Sequence, residues 1–288
     1  MISRFFKKLY AIIKLCRMNK PQLIIPFGVV AAFLASEGIP QIGRLLWLVA
    51  ASTFGLMAGN AFNGLTDIKL DKINPRSFDR PLVEGSLKVW EAVTVVAVCV
   101  AVTVFSTAMI SPFYLLLLPI PVALSFAYSF TKRFTFLCHM FLGGVFAAVP
   151  VAGWALFSSW TDWRALILAG ITFVWTVGYE MIYSSQDVEY DRQMNMKSVP
   201  SVFGVKFALA LCKVCYALMV PGFALLVFVT DVGPVFVAGT AVSLLMLPLQ
   251  FVIIKRYGME KAGVSFDLNR FFAILIMLVT IGDKLVNI

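Results

Sequence analysis

Side chains that can bind a metal ion recur every four residues in two stretches of the chain. The first stretch carries Asn63, Asp67 and Asp71, and the second carries Asp187 and Asp191. Because residues four apart share one helix face, each stretch predicts a row of oxygen-bearing side chains. Oxygen ligands of this kind suit Mg²⁺, which keeps several waters and shares its coordination shell with substrate phosphates. All five residues are therefore predicted to be magnesium ligands.

Basic residues lie beside both acidic stretches, where a metal-bound diphosphate would need them. Lysine and arginine can bind the remaining phosphate oxygens, which makes diphosphate a good leaving group. A single basic residue in a membrane protein is more often a determinant of topology, but these residues lie next to the acids. The predicted substrate-binding residues are Arg76, Arg80, Lys132, Arg133 and Lys197.

Two further side chains are of types that can take part in catalysis. Tyr183 lies one turn before Asp187, where its ring or hydroxyl would face the cation that develops as diphosphate departs, and anchoring at the membrane interface is the alternative. His139, the only histidine, is expected to satisfy a helix contact and is left out of the predicted catalytic set.

Long apolar segments must position these residues. Hydrophobic residues make up 60% of the 288-residue chain and charged residues 14%, against roughly 25% charged residues in soluble domains. Apolar stretches of about 20 residues, the length that crosses a bilayer core, recur along the chain. We predict an all-α, polytopic membrane protein: one domain over residues 1–288, with a basic amphipathic interfacial segment at 1–20 and nine transmembrane helices after it. The predicted spans are Pro21–Ser36, Leu45–Asn63, Val89–Met109, Phe113–Phe130, Phe136–Phe157, Ala165–Tyr183, Val205–Thr230, Val235–Ile254 and Phe271–Lys284.

The distribution of the net charge of +9 indicates how the chain is oriented in the membrane. Basic residues cluster in the N-terminus and in every second loop, as the positive-inside rule expects, which favours a topological role over nucleic-acid binding. The N-terminus is predicted to be cytoplasmic, so both acidic stretches lie at cytoplasmic helix ends. Asp67 and Asp187 are 120 positions apart, a spacing that suggests two related halves whose carboxylates share one metal-bound diphosphate.

The residues around both stretches resemble the UbiA superfamily of intramembrane prenyltransferases. The hallmark of that family is N-x-x-x-D-x-x-x-D after span 2 and D-x-x-x-D after span 6. The segments that match are Ala61 through Asp71 followed by Asn74-Pro75-Arg76-Ser77 and Arg80, and Tyr183 through Asp191 followed by Lys197-Ser198-Val199-Pro200 and Phe203-Gly204. The segments similar to the 4-hydroxybenzoate polyprenyltransferase branch are Tyr128 through Thr135, Cys138-His139 and Pro150 through Trp154.

The resemblance implies Mg²⁺-dependent transfer of a polyprenyl group from a prenyl diphosphate to an aromatic carboxylic acid of the 4-hydroxybenzoate type, in respiratory quinone biosynthesis. It implies a nine-helix bundle around a central cavity, embedded in the lipid bilayer of the inner (plasma) membrane and open toward the cytoplasm. Ionisation of the diphosphate and electrophilic aromatic substitution would follow, with Asp191, Asp71 and Tyr183 as the predicted catalytic residues. Arg76 or Arg80 would pair with the acceptor carboxylate.

Alternatives for the acceptor and for the function stay open. Asn74-Pro75-Arg76-Ser77 is similar to the subgroup that prenylates 1,4-dihydroxy-6-naphthoate in the futalosine route to menaquinone, whereas Lys20-Pro21-Gln22 resembles the ubiquinone-type enzymes. Met194-Asn195-Met196 departs from the family, which usually has a glycine there. Haem, chlorophyllide, homogentisate or a lipid phosphate are further acceptors. The alternative from another class is a cation transporter, which predicts acids near mid-membrane on several spans.

Overall fold

A computed structural model describes residues 2–18, 23–36, 38–159 and 161–286. Within these ranges every regular element is helical. Lys20-Pro21-Gln22 and the start of the first predicted span lie outside the described residues. The α-helices are α1 (Ile2–Leu15), α2 (Ile25–Ala35), α3 (Ile42–Thr66), α4 (Ile68–Asp71), α5 (Val89–Ile110), α6 (Pro112–Leu117), α7 (Pro119–Thr131), α8 (Cys138–Ala155), α9 (Arg164–Ser185), α10 (Val188–Gln193), α11 (Val199–Phe203), α12 (Val205–Val229), α13 (Pro234–Leu244), α14 (Met246–Tyr257) and α15 (Ala262–Val286).

Eight helical segments of the described chain are long and apolar enough to cross a membrane. They are Ile42–Thr66, Val89–Ile110, Pro112–Thr131, Cys138–Ala155, Arg164–Ser185, Val205–Val229, Pro234–Tyr257 and Met259–Val286. The first predicted span corresponds to the shorter apolar helix α2, which is buried from Pro26 through Leu34. The predicted all-helical, polytopic fold is confirmed. The count of nine spans and the cytoplasmic N-terminus stay predictions.

The chain divides into two compact units, and the first comprises Met1–Gln22 and Ala50–Phe130. Helix α1 packs on this unit through Ala11 and Leu15, which are buried in a cluster with Ala92 of α5. Lys8 supports the packing, since its Nζ lies 2.6 Å from a carboxylate oxygen of Glu91. The exposed side chains of the helix are mainly apolar: Phe5, Phe6, Leu9 and Tyr10. One side of helix α1 thus packs on the unit and another side exposes apolar residues, while the amphipathic segment at the membrane surface stays a prediction.

The second unit comprises Leu23–Val49 and Thr131–Ile288. Helices α2 and α8 approach so closely at Gly153 that an added methyl group there would clash with the carbonyl oxygen of Gly28. Trp175 of α9 forms the aromatic centre of this unit, with ring centroids 4.9 Å from Phe27 and 5.8 Å from Phe272. Helix α9 is thus the buried axis of the second unit, and its C-terminal end leads directly into Asp187.

A polar clamp closes the turn between α8 and α9. The Asp162 carboxylate accepts hydrogen bonds from Arg164 Nη2 at 2.7 Å, Trp154 Nε1 at 2.9 Å and Ser158 Oγ at 2.8 Å. The guanidinium and the two hydrogen-bond donors hold the pKa of Asp162 well below its ordinary value, although burial of the carboxyl acts in the opposite sense. The turn therefore carries a fixed negative charge that joins the end of α8 to the start of α9.

Helix α15 begins at Ala262, so the predicted boundary at Phe271 is wrong. Hydropathy counts the polar residues before Phe271 against a span, but Asn269 among them finds its hydrogen bonds inside the unit. Asn269 Oδ1 accepts hydrogen bonds from Trp175 Nε1 at 3.1 Å and Tyr216 OH at 3.2 Å, and its Nδ2 donates to Gln250 Oε1 at 3.0 Å. A buried amide with its partners supplied by three other helices is compatible with an apolar bundle.

Candidate active site

The first acidic motif spans the junction of α3 and α4 in the first unit. Asp67 lies between the two helices with φ −101° and ψ 5°. Helical hydrogen bonding continues through it, because the Asp67 N–H donates to the Asn63 carbonyl at 3.0 Å and the Asp71 N–H donates to the Asp67 carbonyl at 2.7 Å. The Asn63 amide also donates to Asp67 Oδ2 at 2.9 Å. The predicted spacing therefore brings Asn63 and Asp67 side by side.

The loop after the first motif brings one predicted basic residue to Asp71. Asn74 Oδ1 accepts a hydrogen bond from the Arg76 N–H at 3.0 Å, which starts a short 3₁₀ turn. Arg80 follows this turn, and its Nη1 lies 2.5 Å from Oδ2 of the buried Asp71. The Arg76 side chain is exposed.

Arg17 is a first-motif residue that sequence reasoning missed. It follows α1 with a positive φ of 56°, and its Nη2 donates to Asn63 Oδ1 at 3.1 Å. In the sequence Arg17 is one of several basic residues of the N-terminal segment, with no local feature that sets it apart. The contact joins positions 46 residues apart, so only the tertiary fold reveals it.

The second acidic motif repeats the local backbone of the first at the junction of α9 and α10. Asp187 has φ −105° and ψ 11°, and the Asp191 N–H donates to the Asp187 carbonyl at 2.7 Å. Asp191 is buried, and its Oδ2 accepts a hydrogen bond from Ser198 Oγ at 2.7 Å. Lys132 Nζ lies 3.7 Å from the same oxygen.

Lys132 places a positive charge next to Asp191 of this motif. Burial acts to lower the pKa of its ammonium group, but the opposing attraction of Asp191, followed by that of Cys138, Glu180 and Asp187, gives a raised pKa. The ammonium side chain is 23% exposed, so the charge is only partly screened by solvent. A lysine fixed in this way can bind an anion without first being protonated.

Comparison with known proteins identifies the family of this chain. The model of the UbiA prenyltransferase family matches residues 24–276. The chain belongs to the UbiA prenyltransferase family. It is 30% identical over 202 residues to a 4-hydroxybenzoate octaprenyltransferase of Hydrogenovibrio crunogenus, covering 69% of this chain and 70% of that protein. A 4-hydroxybenzoate octaprenyltransferase of Aliivibrio salmonicida is 32% identical over 195 residues, 66% of this chain and 68% of the relative.

Solved structures of UbiA homologues share the fold. The apo structure of a homologue from Aeropyrum pernix K1 matches with a TM-score of 0.82 and 29% identity, covering 91% of this chain and 96% of that one. A homologue from Archaeoglobus fulgidus bound to GPP and Mg²⁺ matches with a TM-score of 0.66 and 15% identity, over 98% and 99% of the two chains, and supports the fold alone. The predicted resemblance and the enzyme class, an aromatic prenyltransferase in the membrane, are confirmed.

The donor atoms of the UbiA motifs in this chain fit Mg²⁺. Each motif offers carboxylate oxygens, and the first also has the amide oxygen of Asn63, which accepts a hydrogen bond from Arg17. Among the described residues no three or more histidine, cysteine, aspartate or glutamate side chains are grouped so that they alone could hold a metal ion. A small set of hard oxygen donors is what an ion that keeps water and phosphate in its shell requires. The residues therefore suit Mg²⁺ better than a structural metal such as zinc.

Three further predicted site residues differ in their exposure and contacts. Tyr183 is half-buried, with its ring centroid 5.1 Å from that of Phe266. Lys197 donates its backbone N–H to the Lys132 carbonyl at 2.6 Å, whereas its exposed side chain donates to the Phe134 carbonyl at 3.4 Å. Arg133 is exposed. Lys197 thus joins the segment after the second motif to the loop that carries Lys132.

Sequence reasoning also set aside His139, which the structure places in a buried contact with a carboxylate. Its Nδ1 lies 3.4 Å from Glu180 Oε2. The two residues are on α8 and α9, 41 positions apart. The expected helix contact is therefore present, but its partner is a charged residue on the helix that leads to Asp187.

Proposed function

We propose that this chain transfers a polyprenyl group from a prenyl diphosphate to an aromatic acid of the 4-hydroxybenzoate type in respiratory quinone biosynthesis. The observation that carries the proposal is the second motif, where the buried Asp191 and the charged Lys132 lie 3.7 Å apart next to Asp187. Such a site combines oxygen ligands for a metal with a cation for phosphate oxygens. The family match and the 4-hydroxybenzoate-prenylating relatives support this reaction.

The residues of each motif have proposed roles in binding the diphosphate. Asn63 and Asp67 of the first motif, with Asp71, and Asp187 with Asp191 of the second, would hold Mg²⁺. Bound Mg²⁺ would offset the negative charge that the departing diphosphate gains. The proposed cations for its remaining oxygens are Arg76, Arg80, Lys132, Arg133 and Lys197.

The proposed reaction is an electrophilic aromatic substitution. The bond between the first prenyl carbon and the diphosphate oxygen breaks, and the electron pair leaves with diphosphate. The ring carbon beside the acceptor hydroxyl forms the new carbon–carbon bond, and its hydrogen leaves as a proton. Tyr183 would present its ring or hydroxyl to the allylic cation. Lipid and helices around the site would keep water from capturing that cation.

The acceptor and the location are the finer parts of the proposal. We propose that Arg76 or Arg80 binds the acceptor carboxylate, and that the site opens toward the cytoplasm from the inner membrane. The Asn74-Pro75-Arg76-Ser77 turn favours 1,4-dihydroxy-6-naphthoate as a second candidate acceptor. Cation transport gains no support, because the acids of both motifs lie at helix ends beside basic residues and the chain is a UbiA prenyltransferase.

An acceptor panel tests the proposal. Purified protein would be incubated with labelled prenyl diphosphate, Mg²⁺ and either 4-hydroxybenzoate, 1,4-dihydroxy-6-naphthoate or homogentisate. We expect prenylated 4-hydroxybenzoate as the product. Asp67→Ala and Asp187→Ala should each lower kcat by about a hundredfold or more, as removal of a group that stabilises a transition state does. Asp79→Ala and Glu189→Ala change exposed acids close to each motif and should retain activity. Unchanged activity of Asp67→Ala and Asp187→Ala would refute the assigned roles.

A further inference from the structure

A histidine and a glutamate form a buried pair that the proposed reaction does not yet use. His139 and Glu180 are 1% and 5% exposed, and the ring nitrogen Nδ1 lies 3.4 Å from the carboxylate. An ionisable pair between two packed apolar helices carries a desolvation cost that apolar residues of the same size would avoid. Packing alone therefore does not account for these residue types.

The other ring nitrogen of His139 is unpaired among the described residues, which indicates that it binds a further group. Nε2 is buried and has no hydrogen-bond partner within the described part of the chain. Buried polar atoms nearly always have one. A carboxylate at Nδ1 keeps the ring N–H on that side, so Nε2 of the neutral ring presents a lone pair. The chemical group that matches it is a hydroxyl donor.

The pair belongs to the surroundings of the second motif. The charge of Glu180 acts on Lys132, as do the charges of Asp187 and Asp191. Asp191, one of the predicted catalytic residues, already accepts a hydrogen bond from Ser198 and lies near Lys132. His139 Nε2 has neither kind of partner among the described residues, so it is better placed than Asp191 to act as a base.

We propose that His139, oriented by Glu180, accepts the hydroxyl proton of the aromatic acceptor during prenyl transfer. This inference rests on the proposed function. The O–H proton moves to Nε2 as the neighbouring ring carbon bonds to the prenyl carbon and the bond to diphosphate breaks. The hydrogen on that ring carbon then leaves as a proton to the released diphosphate, and His139 returns its own proton to the oxygen. The products are the prenylated phenol and protonated diphosphate, with the imidazole neutral again.

Glu180 acts in this scheme as a positioning residue. It holds the ring so that Nε2 is the basic nitrogen, and its negative charge stabilises the imidazolium that forms. Replacement by glutamine keeps the shape but removes the charge, so the basicity of the pair should fall while the helix contact persists.

Acceptors of different acidity test the proposal. The ratio of wild-type to His139→Gln kcat would be measured with 4-hydroxybenzoate and with 3-fluoro-4-hydroxybenzoate, whose hydroxyl ionises more readily. We expect a ratio of about 100 or more with the first acceptor, as for loss of a general base, and a clearly smaller ratio with the second. Glu180→Gln should show the same trend with a smaller loss. Thr176→Val removes a buried hydroxyl on the same helix, bonded to the Thr172 carbonyl at 2.8 Å, and should behave as wild type.

Each result bears on a definite claim. Equal losses with both acceptors, or a His139→Gln enzyme within about threefold of wild-type kcat, would overturn the role as a base. If His139→Gln does not give a folded protein, the same comparison with Glu180→Gln decides, and equal ratios there overturn the proposal. A wild-type enzyme that prenylates no hydroxylated aromatic acid would instead refute the proposed function.

Discussion

Ser198 allows a direct test of how the second motif is held. Its hydroxyl donates to Asp191 Oδ2 at 2.7 Å and accepts from the Ser201 N–H at 3.3 Å, so one side chain both fixes the carboxylate and caps α11. Both Ser198 and Asp191 are buried. In Ser198→Ala the carboxylate loses a partner that solvent does not replace.

The size of the effect follows from the type of bond. A hydrogen bond to a charged group contributes about 1.5–3 kcal/mol. If Asp191 needs its present orientation to act on the diphosphate, the full amount raises the barrier and lowers kcat by on the order of 10–100-fold. Loss of the helix cap adds about 0.5–2 kcal/mol to the cost in stability and is independent of the reaction.

Ser201→Ala separates these two contributions. Ser201 Oγ accepts from the Ser198 N–H at 2.8 Å and completes the cap, and it donates to the backbone carbonyls of Met196 and Ser198 rather than to Asp191. Prenyl transfer and apparent Tm would be measured for both variants in the same detergent. We expect Tm to fall in both variants, further in Ser198→Ala, and kcat to fall in Ser198→Ala alone. Equal kcat values in the two variants would refute the assignment of Ser198 as the support of Asp191.

Three further predictions concern the second unit. Gly153→Ala should lower the apparent Tm through about 1–3 kcal/mol of overpacking against the Gly28 carbonyl, whereas Gly170→Ala, which meets no atom within 4 Å, should not. Asp162→Ala should cost about 1–3 kcal/mol because it leaves the buried Trp154 N–H unpaired, and a Tm equal to wild type would contradict this. Since the pKa of Asp162 is depressed, its contribution is present above the ordinary aspartate pKa and lost as pH falls toward the folded value. Wild-type Tm should therefore fall in acid by more than that of Asp162→Ala.

Local patterns made the acidic motifs predictable. A spacing of four residues near a helix end specifies a shared face whatever the rest of the fold does, and the backbone hydrogen bonds through Asp67 and Asp187 preserve that spacing. The apolar lengths similarly predicted the membrane helices, since crossing a bilayer is a property of one segment at a time.

The partners of the motifs depend on tertiary structure and were largely missed. Ser198 contacts Asp191, and Glu180 contacts His139. Arg17 likewise contacts Asn63 only because the fold brings the two together. The hydropathy pattern also predicted the wrong start for α15, because hydropathy does not show that the buried Asn269 amide is hydrogen-bonded by other helices. Residue type shows that a group needs a partner, but only the fold shows which partner it has.

The two motifs share an arrangement that the residue types alone do not predict. In each, the second aspartate is buried and held by a basic residue: Asp71 by Arg80 at 2.5 Å, and Asp191 by Lys132 at 3.7 Å. A buried carboxylate without its cation would carry an uncompensated charge, so each pair is constrained to stay together. The acid therefore fixes where the cation lies, and a cation fixed at a helix end is pre-organised for phosphate oxygens. Arg80 and Lys132 of the proposed diphosphate site are in this sense positioned by the same aspartates that the sequence predicts as metal ligands and catalytic residues.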